Sequence, residues 1–287
     1  MMWIFFSLLV AFFNAARGVA TKQTLKKFDK YVVSWAMHLV SGLLILSLFF
    51  FIDFPALQDD FWSVFIADCA LSAVATILSV KAILRSDISL VMPMTAFTPI
   101  FMIFTSFLML GEFPSFNGLI GIILIVIGAY CLNINEKKKG WIAPLRALMR
   151  EEGPRLMLAA ALIWSITGNM DKIAIEASSS IFFAMAENIF ISMLIFPFAY
   201  RKVAKQGEGI IKERKGLLTV GVLAALMYIF QTVAITQTLV VYVVAIKRLS
   251  ILISIILGGL IFKEKNIEAR LLGGVIMVFG VLFIMLL

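Results

Sequence analysis

The chain has 287 residues, of which 62% are hydrophobic and only 15% charged, with 26 Phe and 15 Met against a single His. That excludes a water-soluble domain, which carries about 25% charged and 45–50% apolar residues. The net charge of +8 does not make nucleic acid a partner, because Lys and Arg stand in short clusters between apolar runs, where lipid headgroups and membrane orientation account for them.

A spanning helix needs about 20 mostly apolar residues, and ten runs qualify: roughly 3–21, 31–52, 62–84, 88–110, 116–134, 155–176, 180–199, 216–237, 240–262 and 267–287. The opening Met1-Met2-Trp3 lacks the basic segment of a signal peptide, so the first run is expected to be a retained helix. The third and fourth runs divide at Arg85-Ser86-Asp87, and a matching break near Thr238 divides the eighth from the ninth. Pro93 and Pro99 are expected to kink the fourth run and have no proline counterparts in the ninth. Glu112 and Glu264 precede the fifth and tenth runs, where a carboxylate favours a helix N-terminus, and Pro114 suits the start of the fifth. Only 135–154 and 200–215 are long enough to be loops, and both are basic. Within the first, Trp141 to Arg150 reads as a short interfacial amphipathic helix. Cys69 and Cys131 lie inside apolar runs without zinc or redox spacing and read as packing residues.

The two halves resemble each other. An offset of 152 places Glu112 on Glu264, Gly121 on Gly273, Gly128 on Gly280 and Ala82-Ile83 on Ala234-Ile235; an offset of 150 places Gly18 on Gly168 and Lys22 on Lys172. These matches in one order predict an all-α membrane fold of two five-helix repeats, 1–135 and 155–287, joined by a cytoplasmic linker at 136–154. Because five is odd, the second repeat must insert upside down, an arrangement that in transporters puts the site between the halves near mid-membrane. Connections after the odd-numbered runs hold twenty of the 25 Lys and Arg, and the other side holds at most Lys172. By the positive-inside rule, both termini are expected outside a cell membrane, a bacterial inner membrane.

Charge within a bilayer costs at least ~2.5–3.5 kcal/mol per residue, so it needs a partner or a purpose. The candidates are Arg17, His38, Asp68, Glu187, Lys247 and Arg248. Lys247-Arg248 lies about seven residues, or ~10 Å, into the ninth run. There Arg can hold a carboxylate or phosphate bidentately while Lys supplies a point charge. Glu187 shares a small, polar helical face with Ala184, Asn188 and Ile191, and Asp68 shares one with Ser72, Ala75 and Ser79. Either acid is expected to neutralise Lys247 or Arg248, and Glu187 is the candidate for proton coupling. His38 reads either as a hydrogen-bonded interhelical residue or as a pH sensor, and Arg17 as a residue that snorkels to the surface. Trp35, Trp164, Asn169, Tyr228, Gln231 and Tyr242 offer aromatic and amide groups to a solute, with Tyr228 and Gln231 on one face of the eighth run. A lone histidine excludes a multi-histidine zinc centre, and with no nucleophile–base pair in view no intramembrane enzyme is expected. No nucleotide-binding loop occurs, and no cofactor is called for.

The repeat, the segment Trp164-Ser-Ile-Thr-Gly-Asn-Met-Asp-Lys172 and the segment Leu-Gly-Gly-Leu-Ile-Phe-Lys-Glu264 resemble the drug/metabolite transporter superfamily, specifically its EamA-type permeases, over essentially the whole chain. The resemblance implies ten helices around a central cavity with alternating access, and substrates among amino acids, other metabolites, nucleotide sugars and drugs. Lys247-Arg248 is also similar to the Lys-Arg pair that binds phosphate in the related phosphate translocators, although the fourth run has no basic residue to complete such a site. The expected function is secondary transport of a small polar or anionic metabolite, by export or exchange, from a site of Lys247, Arg248, Glu187, Asn188, His38, Tyr228, Gln231 and Trp164. The expected partners are that solute, membrane lipids and a coupling proton, in a monomer or homodimer. A flippase-like carrier of a lipid-linked substrate and a non-transporting assembly subunit are the alternatives; the latter predicts no polar cavity.

Overall fold

The computed structural model describes residues 2–131, 150–212, 214–262 and 268–286, and these are helical nearly throughout, with no strand among them. Lipid offers no hydrogen-bond partners, so each segment must satisfy its own backbone amides. The spans are α1 (Met2–Thr24), α2 (Lys30–Leu46, prolonged by a 3-10 turn at Ser47–Phe50), α3 (Phe61–Arg85), α4 (Ile88–Val91, a 3-10 stretch Met92–Ala96, then Phe97–Leu110) and α5 (Phe116–Cys131). The second half contains α6 (Glu152–Glu176), α7 (Ser180–Lys212), α8 (Arg214–Ile235), α9 (Val240–Lys247, then Leu249–Phe262) and α10 (Glu268–Met285). Ten predicted runs thus correspond to ten spans among the described residues. The segment 141–149, expected to be an interfacial helix, and Glu264 lie outside them.

Local chemistry sets the breaks. Ser86 is extended (φ −142°, ψ 169°) between α3 and α4, and Asp29 caps α2 by accepting the Tyr31 N–H at 2.9 Å. Gly111 ends α4 at φ 67°, a left-handed conformation that suits glycine. Large apolar side chains such as Phe5, Phe12, Phe104, Leu108, Phe198 and Phe279 face outward, as they must where hydrocarbon replaces water. Six described helices are long and apolar enough to cross a membrane on that ground alone. α6 is not among them because it carries Glu152, Arg155, Asp171 and Lys172.

Packing reveals the relation between the halves. The most extensive interfaces are α5 with α10, α3 with α6, α2 with α7 and α1 with α8. Exchanging the repeats turns the α1–α8 interface into α6–α3 and returns the other two onto themselves. At the α5–α10 crossing, a Cβ on Gly121 would meet the Gly280 carbonyl and one on Gly128 would meet the Gly273 carbonyl. Residue number rises along α5 as it falls along α10, so the helices run antiparallel. Since Gly273 and Gly280 are the repeat mates of Gly121 and Gly128, a pseudo-twofold axis passes between them, as the inverted repeat requires. His38 on α2 and Asn188 on α7, mates at an offset of 150, touch each other across that same axis.

Ion pairs tie the spans near their ends. Lys172 on α6 pairs with Glu112 in the α4–α5 connection, with side chains only 15% and 16% exposed. Glu112 was expected to serve the α5 N-terminus. Its carboxylate turns to the ammonium instead, because a partly buried charge pair outweighs the roughly 0.3–1 kcal/mol available from a helix dipole. Lys22, the mate of Lys172, donates to the carbonyls of Ile83 and Ser86, each at 2.7 Å, at the α3 C-terminus. On α3, Lys81 (2.6 Å) and Arg85 (3.4 Å) reach Glu152 at the start of α6.

Candidate functional site

Two broken spans create the site. α4 loosens into a 3-10 stretch around Pro93, whose missing N–H cannot continue the α pattern. α9 breaks at Arg248 with no proline or glycine to mark it: Arg248 N–H turns back three residues to the Ala245 carbonyl, at 2.9 Å. The breaks are repeat mates, since an offset of 152 sets Met92 on Val244, Thr95 on Lys247 and Ala96 on Arg248. The continuous ninth helix expected from the sequence is therefore corrected to two half-helices whose junction carries the Lys-Arg pair. Discontinuous helices at mid-membrane are the usual framework of a transporter site, because their free backbone groups must face a cavity and not lipid.

That cavity is present. It opens about 90 Å³ to the centres of water-sized spheres, room for several waters at about 10–15 Å³ each. Its walls come from both halves. Asn14 and Arg17 (α1), Ser72 and Thr76 (α3), and Thr95 and Thr98 (α4) face Trp164, Thr167 and Asp171 (α6), Glu187 (α7), Tyr228 and Gln231 (α8), and Lys247 and Arg248 (α9).

The cations are held by neutral groups. Lys247 Nζ donates to Gln231 Oε1 at 2.5 Å. Arg17 Nη2 donates to Asn14 Oδ1 at 2.8 Å, and Asn14 Nδ2 passes on to Ser250 Oγ at 2.9 Å. Arg248 is 3% exposed and its Nε has no hydrogen-bond partner. Among the described residues no carboxylate lies within 4.0 Å of any of the three. The expected neutralisation of Lys247 or Arg248 by Asp68 or Glu187 therefore takes no direct form, because the Gln231 amide occupies the place beside the ammonium. Arg17 does not snorkel either: α1 turns it into the cavity, where polar partners await it.

The acids gather elsewhere on the wall. Asp68, Asp171 and Glu187 come from α3, α6 and α7, and a carboxylate oxygen from each lies within 4.8 Å of the others. All three side chains are buried, Asp68 completely. Asp171 was missed by sequence reading. It stands beside Lys172, five residues before the end of the run 155–176. α6 ends at Glu176, as the run 155–176 predicts, which leaves Asp171 about 7 Å inside the helix end.

Of the remaining predicted site residues, Tyr228, Gln231 and Trp164 line the cavity, whereas His38 and Asn188 stand behind the lining. His38 Nδ1 donates to Asn188 Oδ1 at 2.8 Å, and its Nε2 accepts from the Thr76 hydroxyl at 3.0 Å. The tautomer follows because Asn188 uses its own amide N–H on the Ala184 carbonyl, which leaves its oxygen to accept. Asn169 clamps α6 to α4 through Thr105 and Ser106. Tyr242 stacks on Trp3 and accepts the Ser115 N–H at 2.8 Å, and Trp35 packs on Phe196. These three serve packing.

A sequence model described as the EamA-like transporter family matches residues 1–134 and 153–286. No curated protein matches. Among solved structures 29 chains match. One, described only as "Crystal structure of protein", superposes with a TM-score of 0.71 at 12% identity, covering 99% of this chain and 96% of that chain, a likeness of fold.

Proposed function

The chain belongs to the EamA-like transporter family, and on that premise we propose that it is a secondary carrier of a small polar metabolite bearing an anionic group, working by alternating access in export or exchange. One observation carries this reading. Three cationic side chains, Arg17, Lys247 and Arg248, converge on a cavity between the two halves, where Arg17 and Lys247 donate to amides, Arg248 Nε has no partner, and none makes a direct ion pair with an acid among the described residues. Buried or part-buried cations bonded to neutral groups, with Asp171 and Glu187 on the same wall but in no direct ion pair with them, favour an anionic guest. Arg248, with its Nε free, is the natural bidentate partner of a carboxylate or phosphate. Tyr228 and Trp164 supply apolar faces, and Thr95 and Thr98 supply hydroxyls.

An assembly subunit would have no use for such a cavity, so we favour a carrier. The repeats would rock about the pseudo-twofold axis, exposing the α4 and α9 junctions to each side in turn. We take the repeats as 1–135 and 155–287 around the linker 136–154, and we place both termini outside on the Lys and Arg bias.

The test is uptake and efflux by the purified full chain in proteoliposomes against a panel of amino acids, organic acids, sugar phosphates and neutral metabolites. Arg248→Lys should lose at least tenfold in rate for each anionic hit, and Lys247→Ala at least as much. Full-rate transport of every hit by both variants, or hits confined to neutral solutes, would refute the assignment.

A further inference from the structure

The carboxyl cluster makes no direct ion pair with the cations among the described residues, and its surroundings are unusual. Asp68 is fully buried, yet neither of its oxygens has a hydrogen-bond partner, and Oδ1 of Asp171 likewise has none. An ionised carboxylate so placed is costly, because nothing replaces its lost water. At the same time carboxylate oxygens of Asp68, Asp171 and Glu187 lie within 4.8 Å of one another, so the Asp68 and Asp171 side chains face each other. Two ionised carboxylates cannot bond to each other, since both only accept; with one proton between them they can. The orphaned oxygens and the facing carboxyls thus point to the same missing particle.

We propose that Asp68, Asp171 and Glu187 form a proton-binding site that couples this carrier to the proton gradient. Proton binding stands on the geometry alone, whereas the coupling clause rests on the transporter reading above. Asp68 and Asp171 share the proton. Glu187 and Asp171 line the cavity and connect the pair to its water, while Asp68 lies behind. A cavity hydronium gives its proton to Glu187, the proton passes to the Asp171–Asp68 pair, and it returns to water on the other side after the repeats have rocked. Only O–H bonds form and break.

The other charged and titratable groups around the triad leave the proton to it. Lys247 and Arg248 on α9 and Arg17 on α1 face it across the cavity. On α2, His38 has both ring nitrogens engaged with Asn188 and Thr76. Cys69 adjoins Asp68 on α3, Tyr228 presents its phenol from α8, and α4 carries no ionisable side chain between Ile88 and Leu110. A calcium-sized ion would want six to eight oxygen ligands. A proton needs only two, which the facing pair supplies.

The site can be read without any solute, by infrared difference spectroscopy of the purified full chain in nanodiscs between alkaline and acidic pH. A buried protonated-carboxyl band is expected, moved by 13C-aspartate labelling of the wild type and reduced at least twofold in Asp68→Asn and Asp171→Asn. The label needs no variant, so it decides the matter even where Asn disturbs folding. A band that ignores the label, or one abolished by excess Na+ or Ca2+, would overturn the proton site and leave the carrier reading standing. For a solute transported in the panel, an imposed pH gradient should raise wild-type accumulation about tenfold and leave Asp171→Asn unchanged. Equal responses would overturn the coupling. A panel with no hit would overturn the carrier reading and not the band.

Discussion

Replacing Gly128 by alanine tests the inverted repeat through its closest contact. A Cβ at Gly128 would stand 2.6 Å from the Gly273 carbonyl oxygen and 2.8 Å from the Met277 backbone nitrogen. Neither atom can rotate away, so α10 must withdraw by roughly 0.8 Å to restore ordinary contact, which begins at 3.4 Å. Overpacking costs about 1–3 kcal/mol, and backbone contacts put this case near the upper end. Alanine returns roughly 0.5–1 kcal/mol through helix propensity, so the net loss is about 2 kcal/mol. For a chain of this size that lowers the melting temperature by about 4–8 °C. Gly280 is the repeat mate, and its Cβ would meet the Gly121 carbonyl oxygen at 2.6 Å, so Gly280→Ala should give the same loss. The double variant should fall short of the sum, because the first displacement opens room for the second methyl. Gly216→Ala, whose Cβ would meet only the Thr24 side chain at 3.0 Å or more, should be near neutral. The assay is fluorescence-detected gel filtration after heating in detergent. Unequal losses at Gly128 and Gly280, or no loss at either, would refute the pseudo-twofold crossing.

Two further predictions concern the polar ties between spans. Lys172→Met should lower thermal stability more than the double variant Lys172→Met/Glu112→Gln, by about 1–3 kcal/mol in a double-mutant cycle, because the single change strands a partly buried carboxylate; additive effects would show that the pair contributes nothing. Asn188→Ala should leave the His38 N–H without its acceptor and cost about 1–3 kcal/mol in the same heating assay, whereas Trp35→Phe, at a packing contact, should cost less; a reversed order would remove the role assigned to the His38–Asn188 tie.

The amino-acid sequence by itself determined the solvent, the number of spans and the repeat. These follow from long apolar runs and from residues recurring at one offset, and lipid leaves a chain no alternative to helices. It also marked Lys247, Arg248 and Glu187, since an ionisable residue inside an apolar run stands out without any knowledge of its neighbours. Tertiary structure alone decided which charges meet. Asp171, inside the predicted run 155–176, was passed over until packing brought it against Asp68 and Glu187, and Arg17 looked like a snorkelling residue until α1 was seen to face the cavity. The break in α9 has no proline or glycine to announce it, although it falls at the repeat mate of the break in α4. Lys247 took an amide and not an acid, and Asp68 met Asp171 and Glu187, because three separate helices converge there. Periodicity is a property of one segment, but the partner of a buried charge depends on distances between segments far apart in the chain, which only their packing sets.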